Sequence, residues 1–160
     1  MFFLSACEQE AAQTETAAAT VAEPQQTPAE AAPAVIEEPR LVCFLDEINA
    51  LPVMPETEFF VADVPVVRGW IGFVNGNGAA PSNFEIVLTS AEQNFPFLAV
   101  AGLPRQDVAN SQAKPGLLNA GYETVLSLKA VKPGRYEITM TAPLNDQSVV
   151  CGTGKFIVVK

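Results

Sequence analysis

The sequence predicts an all-β fold: a single antiparallel sandwich over residues 41–160, preceded by a disordered tail. Three observations carry that expectation. Residues 121–141 (GYETVLSLKAVKPGRYEITMT) read as two alternating strands joined by a turn, the period of two of half-buried strands. About eight short segments of strand character follow one another with turn signals between them, the spacing of an all-β domain. Composition also changes at Arg40: residues 8–40 hold seven Glu and one Arg, six of the nine excess negative charges of the chain.

The chain opens Met1-Phe2-Phe3-Leu4-Ser5-Ala6-Cys7. Leu4-Ser5-Ala6-Cys7 resembles a bacterial lipobox, in which small residues precede the cut and the Cys receives a diacylglycerol. The resemblance implies that residues 1–7 are the end of a signal peptide and that Cys7 is lipidated. The competing reading is a short apolar start with an incidental Cys. A secretory signal has a charged n-region and an apolar stretch of about 7–15 residues. Only Met1-Phe2-Phe3 precede the box, so the true start is expected upstream. No other segment approaches the ~18–20 apolar residues of a membrane span, so the expected membrane contact is through the lipid anchor alone. Glu8 stands where an inner-membrane lipoprotein often carries Asp. By the same resemblance the expected address is the outer membrane of a bacterial envelope, on its periplasmic or surface face.

Residues 8–40 contain ten Ala, four Pro, four Gln and four Thr, with no aromatic residue and no Gly. Such a segment buries too little apolar surface to offset the entropy of ordering it. It reads as a linker whose ends lie roughly 30 Å apart as a flexible coil, more where Pro and charge extend it.

The folded part follows in order. Residues 41–45 read as a first strand with Cys43 at its centre, and 49–55 as loop, because Pro52 and Pro55 cannot donate to a ladder. Residues 58–64 and 66–74 are the next strands; Gly69 and Gly72 inside the second predict a bulge or a close backbone approach. Asn75-Gly76-Asn77-Gly78 is a turn. Phe84, Ile86 and Leu88 fall on one face of a strand over 84–89, with 95–101 at the spacing of a hairpin partner. Residues 103–121 break the pattern, and 104–109 suit one turn of helix with Pro at its start. In the 122–129 strand Tyr122, Thr124, Leu126 and Leu128 share a face. Lys132-Pro133-Gly134-Arg135 has type II turn chemistry, with Gly134 at positive φ. In the strand that follows, Tyr136, Ile138 and Met140 face one way, and Arg135, Glu137, Thr139 and Thr141 the other. Residues 143–147 are loop, and 148–159 the last strand, kinked at Gly152 and Gly154.

Tyr136 directly after its turn resembles the tyrosine corner of immunoglobulin-like sandwiches, whose ring joins the core and whose hydroxyl bonds nearby backbone. The alternative is a buried Tyr in some other antiparallel sheet. With Cys7 lipidated, Cys43 and Cys151 remain. They are either a structural disulfide between the first and last strands, as export favours, or two reduced core thiols.

From Phe59 onward the chain also resembles a family of small bacterial β-sandwich modules on envelope and surface-polysaccharide-associated proteins. The residues that carry this are Gly69-Trp70, Gly102, Arg105-Gln106-Asp107-Val108-Ala109, Asn119-Ala120-Gly121-Tyr122, Leu128, Pro133-Gly134 and Tyr136. Gln106 stands where that family usually has Pro. The resemblance implies an immunoglobulin-like fold and a non-enzymatic, accessory or recognition role.

The chemistry inventory points the same way. Histidine is absent, which removes the commonest general base and metal ligand. There is no zinc spacing, phosphate-cradling loop or serine with a histidine base, so no catalytic residue, metal or cofactor is expected. A chain this acidic lacks the basic stripe nucleic acid requires. Asp46-Glu47 and Glu56 with Glu58 read as solvated acids in preference to a calcium site. Arg105 and Asp107 either anchor a loop by an ion pair or line a surface for sugar or peptide. Trp70 is either core or, with them, part of that binding surface. The function expected is a lipid-anchored envelope module that binds or assembles, with an envelope protein or polysaccharide as partner. The alternative is an accessory subunit of an envelope complex that docks by strand pairing.

Overall fold

The computed structural model describes residues 39–160, so the lipobox, Cys7 and most of the 8–40 linker lie outside the described residues. Nine strands form one sheet: β1 (Leu41–Ile48), β2 (Leu51–Pro52), β3 (Glu56–Phe59), β4 (Val66–Phe73), β5 (Asn83–Thr89), β6 (Asn94–Leu103), β7 (Gly121–Val125), β8 (Gly134–Leu144) and β9 (Gln147–Val159). One short helix, α1 (Gln106–Ser111), follows β6. The all-β expectation holds.

The strand order is β2-β1-β4-β7-β6-β5-β8-β9-β3. Laid flat, eight interstrand steps of about 4.8 Å would set the two edges roughly 38 Å apart. Only residues 53–55 separate β2 from β3 in the chain, a reach of no more than about 14 Å. The sheet therefore curls into a half-barrel. Strand β6 sits at the bend. It pairs with β5 through Val100 and with β7 from Ala101, the β7 register shifting between Ala101 and Leu103, so the β1-β4-β7 ladder and the β5-β8-β9 ladder share it.

The alternating segments bury the faces the sequence assigns. Phe84, Ile86, Leu88, Tyr136, Ile138 and Met140 are almost wholly buried in one core with Ile71, Tyr122 and Ile157. Strand β4 departs from alternation because both its faces are covered. Val67 and Ile71 enter the main core, while Trp70 packs with Val108, Leu117 and Ala120 in a second, smaller one. Gly69 and Gly72 are close approaches, as expected: a Cβ on Gly69 would lie 2.0 Å from Phe44 O, and one on Gly72 2.3 Å from the Leu117 side chain.

Several expectations need correction. The 49–55 loop holds β2, whose Leu51 and Pro52 pair with Ile48 and Glu47, and the helix expected over 104–109 starts only at Gln106, with Pro104 outside it. The 122–129 strand ends at Val125: Leu126 N–H turns to Pro65 O (2.9 Å), and residues 128–130 form a 3₁₀ turn that keeps Leu128 buried. The 58–64 strand starts earlier and ends at Phe59. The Asp63 carboxylate takes the Phe60 N–H (2.7 Å), the local bond by which Asp closes a turn against a ladder. The sheet is not wholly antiparallel, since β3 runs parallel to β9. Gly134 is not at positive φ but opens β8 opposite Val159, so the turn before Tyr136 is not the type II turn expected.

The corner itself forms. Tyr136 is buried, its hydroxyl donates to Lys132 O (2.9 Å), and its ring meets Phe95 edge-on at 5.6 Å. The last strand kinks where the glycines predict: the β8–β9 register skips Thr153 and Gly154, with Gly154 at φ 65°. Cys43 of β1 and Cys151 of β9 are joined in a disulfide with Cα atoms 6.1 Å apart.

Candidate functional site

A groove of about 500 Å³ opens beside β1, β4 and β7, and backbone geometry builds it. Strand β1 carries a bulge at Asp46, where the pairing passes from Leu45↔Gly69 to Glu47↔Arg68. A regular strand would send Asp46 and Glu47 to opposite faces. The bulge brings both to the groove.

Each of these carboxylates meets an arginine. Arg105, at the residue preceding α1, donates Nη1 to Asp46 Oδ2 (2.6 Å) and forks Nε and Nη2 onto Asp107 (2.9 and 2.7 Å). Arg68 donates Nε to Glu123, its cross-strand partner on β7, and reaches Glu47 at 3.5 Å. The Arg105 hydrogen bonds hold the Asp107 carboxyl down at about 2, and the Arg105 guanidinium rises with them. The Arg68 guanidinium is raised in the same way, chiefly by Glu123.

Tyr122 forms the floor. It is buried, and its hydroxyl donates to Phe44 O (3.1 Å). Burial first, and the Asp46 charge second, push its phenol well above the ordinary range. It stays a neutral donor at physiological pH. Leu103 and Pro104 supply an apolar wall.

Of the residues singled out from sequence, Arg105 and Asp107 come together here. Trp70 does not. Trp70 is 6 % exposed and its ring stacks at 5.0 Å under Phe44, so Trp70 itself offers no open face to a sugar. Asp46 and Glu47, read from sequence as solvated acids, join the groove, and Arg68 with its partner Glu123 went unread. Their only signal is the cross-strand register Arg68↔Glu123, which needs a knowledge of pairing. Among the described residues no group of three His, Cys, Asp or Glu is placed to hold a metal ion, and no helix is long and apolar enough to cross a membrane.

Chemically, the groove lining alternates donors and acceptors at balanced charge, Asp46 and Glu47 against Arg68 and Arg105, with both guanidiniums already paired with carboxylates. That suits a neutral ligand rich in hydroxyl or amide groups better than a bare anion. No family model, no curated protein and no solved structure matches this chain.

Proposed function

We propose that this chain is a non-enzymatic lipoprotein of the bacterial envelope, anchored through Cys7, most simply at the outer membrane. Its immunoglobulin-like sandwich serves as a binding or assembly module for glycan or peptide. The observation that carries the binding reading is the groove between Arg68 and Arg105, where these two guanidiniums and the Asp46 and Glu47 carboxylates line one concave surface, with Glu123 and Asp107 holding the arginines from beside it. The immunoglobulin-like reading is supported by the Tyr136 corner and by the Cys43–Cys151 bond between the outlying strands β1 and β9. The anchor rests on the Leu4-Ser5-Ala6-Cys7 pattern.

A second reading, docking by strand pairing, has its own observation. From the two-residue turn between Leu144 and Gln147, hydrogen-bonded and open pairs alternate along β8–β9. That alternation turns the N–H and C=O groups of Ser148 and Val150 away from β8. Among the described residues they meet no backbone partner, because β3 covers β9 only from Phe156 onward. This edge is a template for an added strand.

Nuclear magnetic resonance separates the two. Isotope-labelled protein titrated with peptidoglycan fragments and surface oligosaccharides should shift Glu47, Arg68, Arg105 and Gly121. Shifts confined to 148–152 on adding extended peptides would transfer the function to the edge. Shifts at neither place reject both. Mass spectrometry of the mature N-terminus from the native host tests the anchor, and an unmodified Cys7 thiol would remove it.

A further inference from the structure

The loop Asn75-Gly76-Asn77-Gly78 offers two Asn-Gly pairs, the sequence most prone to cyclise because glycine leaves the attacking backbone nitrogen unhindered. The surroundings of the two pairs differ. Gly78 N–H donates to Asn75 O (3.0 Å), closing a turn with Gly76 at φ 55°. The nitrogen that would attack Asn77 is thereby engaged. Gly76 N–H, which would attack Asn75, has no acceptor among the described residues, and nothing lies within 4 Å of where a Gly76 Cβ would sit.

We propose that Asn75 is a self-modification site, converting through a succinimide to aspartate and isoaspartate, and that the fold selects it over Asn77. Among the described residues two hydrogen bonds act on the reacting atoms. Arg40 N–H donates to Asn75 Oδ1, the oxygen on which negative charge builds as the side-chain carbonyl is attacked. This is the placement that stabilises a tetrahedral intermediate. The Gly78 bond to Asn75 O draws electron density from the Asn75–Gly76 peptide and makes the Gly76 N–H more acidic.

The step balances with water as the only co-reactant. Gly76 N gives its proton to solvent and bonds to Asn75 Cγ. The Cγ–Nδ2 bond breaks and nitrogen leaves as ammonia. Water then opens the ring at one carbonyl or the other. The aspartate product adds a negative charge beside the start of β1. The isoaspartate product adds a methylene to the main chain, which works against the clasp of Lys114 Nζ on Gly76 O and of Gly116 N–H on Asn77 O (3.0 Å). That clasp ties the loop to the segment covering Trp70.

The test is incubation of the full chain at mildly alkaline pH, folded and in urea, followed by peptide mapping for amide-to-acid conversion. Asn75 is expected to outrun Asn77 about tenfold in the folded protein, a barrier difference of about 1.4 kcal/mol, and to react faster folded than unfolded. Conversion of Asn77 first, or of Asn75 only in urea, overturns the proposal. Arg40→Pro removes the donor to Oδ1 and should slow Asn75 severalfold with Asn77 unchanged. Asn75→Gln, whose ring closure is disfavoured, should abolish the product at that position. An Asn75 rate unaffected by Arg40→Pro in a folded variant likewise rejects the assigned role of that N–H.

Discussion

Two buried tyrosines divide the molecule. Tyr136 bonds Lys132 O four residues back, in the β5-β8-β9 ladder; Tyr122 bonds Phe44 O, 78 residues back, across the β1-β4-β7 ladder. Each has a glycine beside it. A Cβ on Gly69 would stand 2.7 Å from the Tyr122 hydroxyl and 2.0 Å from Phe44 O, whereas one on Gly134 would rest 3.4 Å from the Tyr136 hydroxyl. The same bond type is thus reached by a local turn in one ladder and by tight long-range packing in the other. Local corners tolerate change because only a few residues must agree; the Tyr122 side needs three strands in register.

The largest expected effect comes from removing what joins the two ladders. Cys43→Ser with Cys151→Ser should lower unfolding stability by about 2–5 kcal/mol, since the bond closes a loop with sequence separation 108. A loss below about 1 kcal/mol in chemical denaturation would mean the ladders hold each other without it.

Gly69→Ala comes next, at about 3 kcal/mol, because backbone and not a flexible side-chain tip must move. Its signature beyond stability is a displaced Tyr122 hydroxyl, visible in the tyrosine ultraviolet spectrum. A neutral result would show β1 and β4 free to part at that point.

The hydroxyls themselves follow. Tyr122→Phe and Tyr136→Phe should each cost about 1–2 kcal/mol, one buried hydrogen bond with the ring retained. The contrast predicts that Tyr122→Phe also perturbs Arg105 and Asp46 resonances above it, while Tyr136→Phe leaves them still. Equal spread from both variants would erase the distinction between local and long-range.

Smaller still is the pH effect at Asp107. Its pKa falls from 3.8 to about 2 in the fold, so its stabilisation is complete above the ordinary carboxylate value and disappears as pH drops through about 2. The side chain is 65 % exposed, which holds the amount to a few tenths of a kcal/mol. Comparing Asp107→Asn with the parent between pH 5 and pH 2 should show the two curves converging at the acid end; parallel curves would mean the ion pair contributes nothing. Gly134→Ala is expected to be smallest, within about 0.5 kcal/mol, because φ is unstrained and the new methyl makes ordinary contact with the Tyr136 ring. A loss above 1 kcal/mol would make the two glycines alike.

Legibility followed the same division. Strands β5 and β8 were readable because each has one core face, so Phe84, Ile86, Leu88 and Tyr136, Ile138, Met140 leave a clean alternation. The corner was readable because it is local, although Gly134 plays a different part in it than turn chemistry suggests. Strand β7 misled: Leu126 and Leu128 stay buried after the ladder ends, and their alternation continues with a different cause. The candidate site was half legible. Arg105 and Asp107 are neighbours in sequence, but the bulge that turns Asp46 and Glu47 together arises from β1–β4 register, which no local pattern encodes. The covering of Trp70 by Val108 and Leu117 was hidden for the same reason.

The disulfide also sets a mechanical path. A pull on the chain entering at Arg40 meets Cys43 after three residues and crosses directly to Cys151. Between a load at Arg40 and a grip on the last strand, the whole stretch enclosed by the two cysteines is short-circuited. Only the few residues outside the bridge can pay out as slack. The groove and the corner both lie within the shielded stretch, so tension along the chain ends would leave their geometry unloaded while the bond stays oxidised. Reduction would place β1 and its bulge in series with the force.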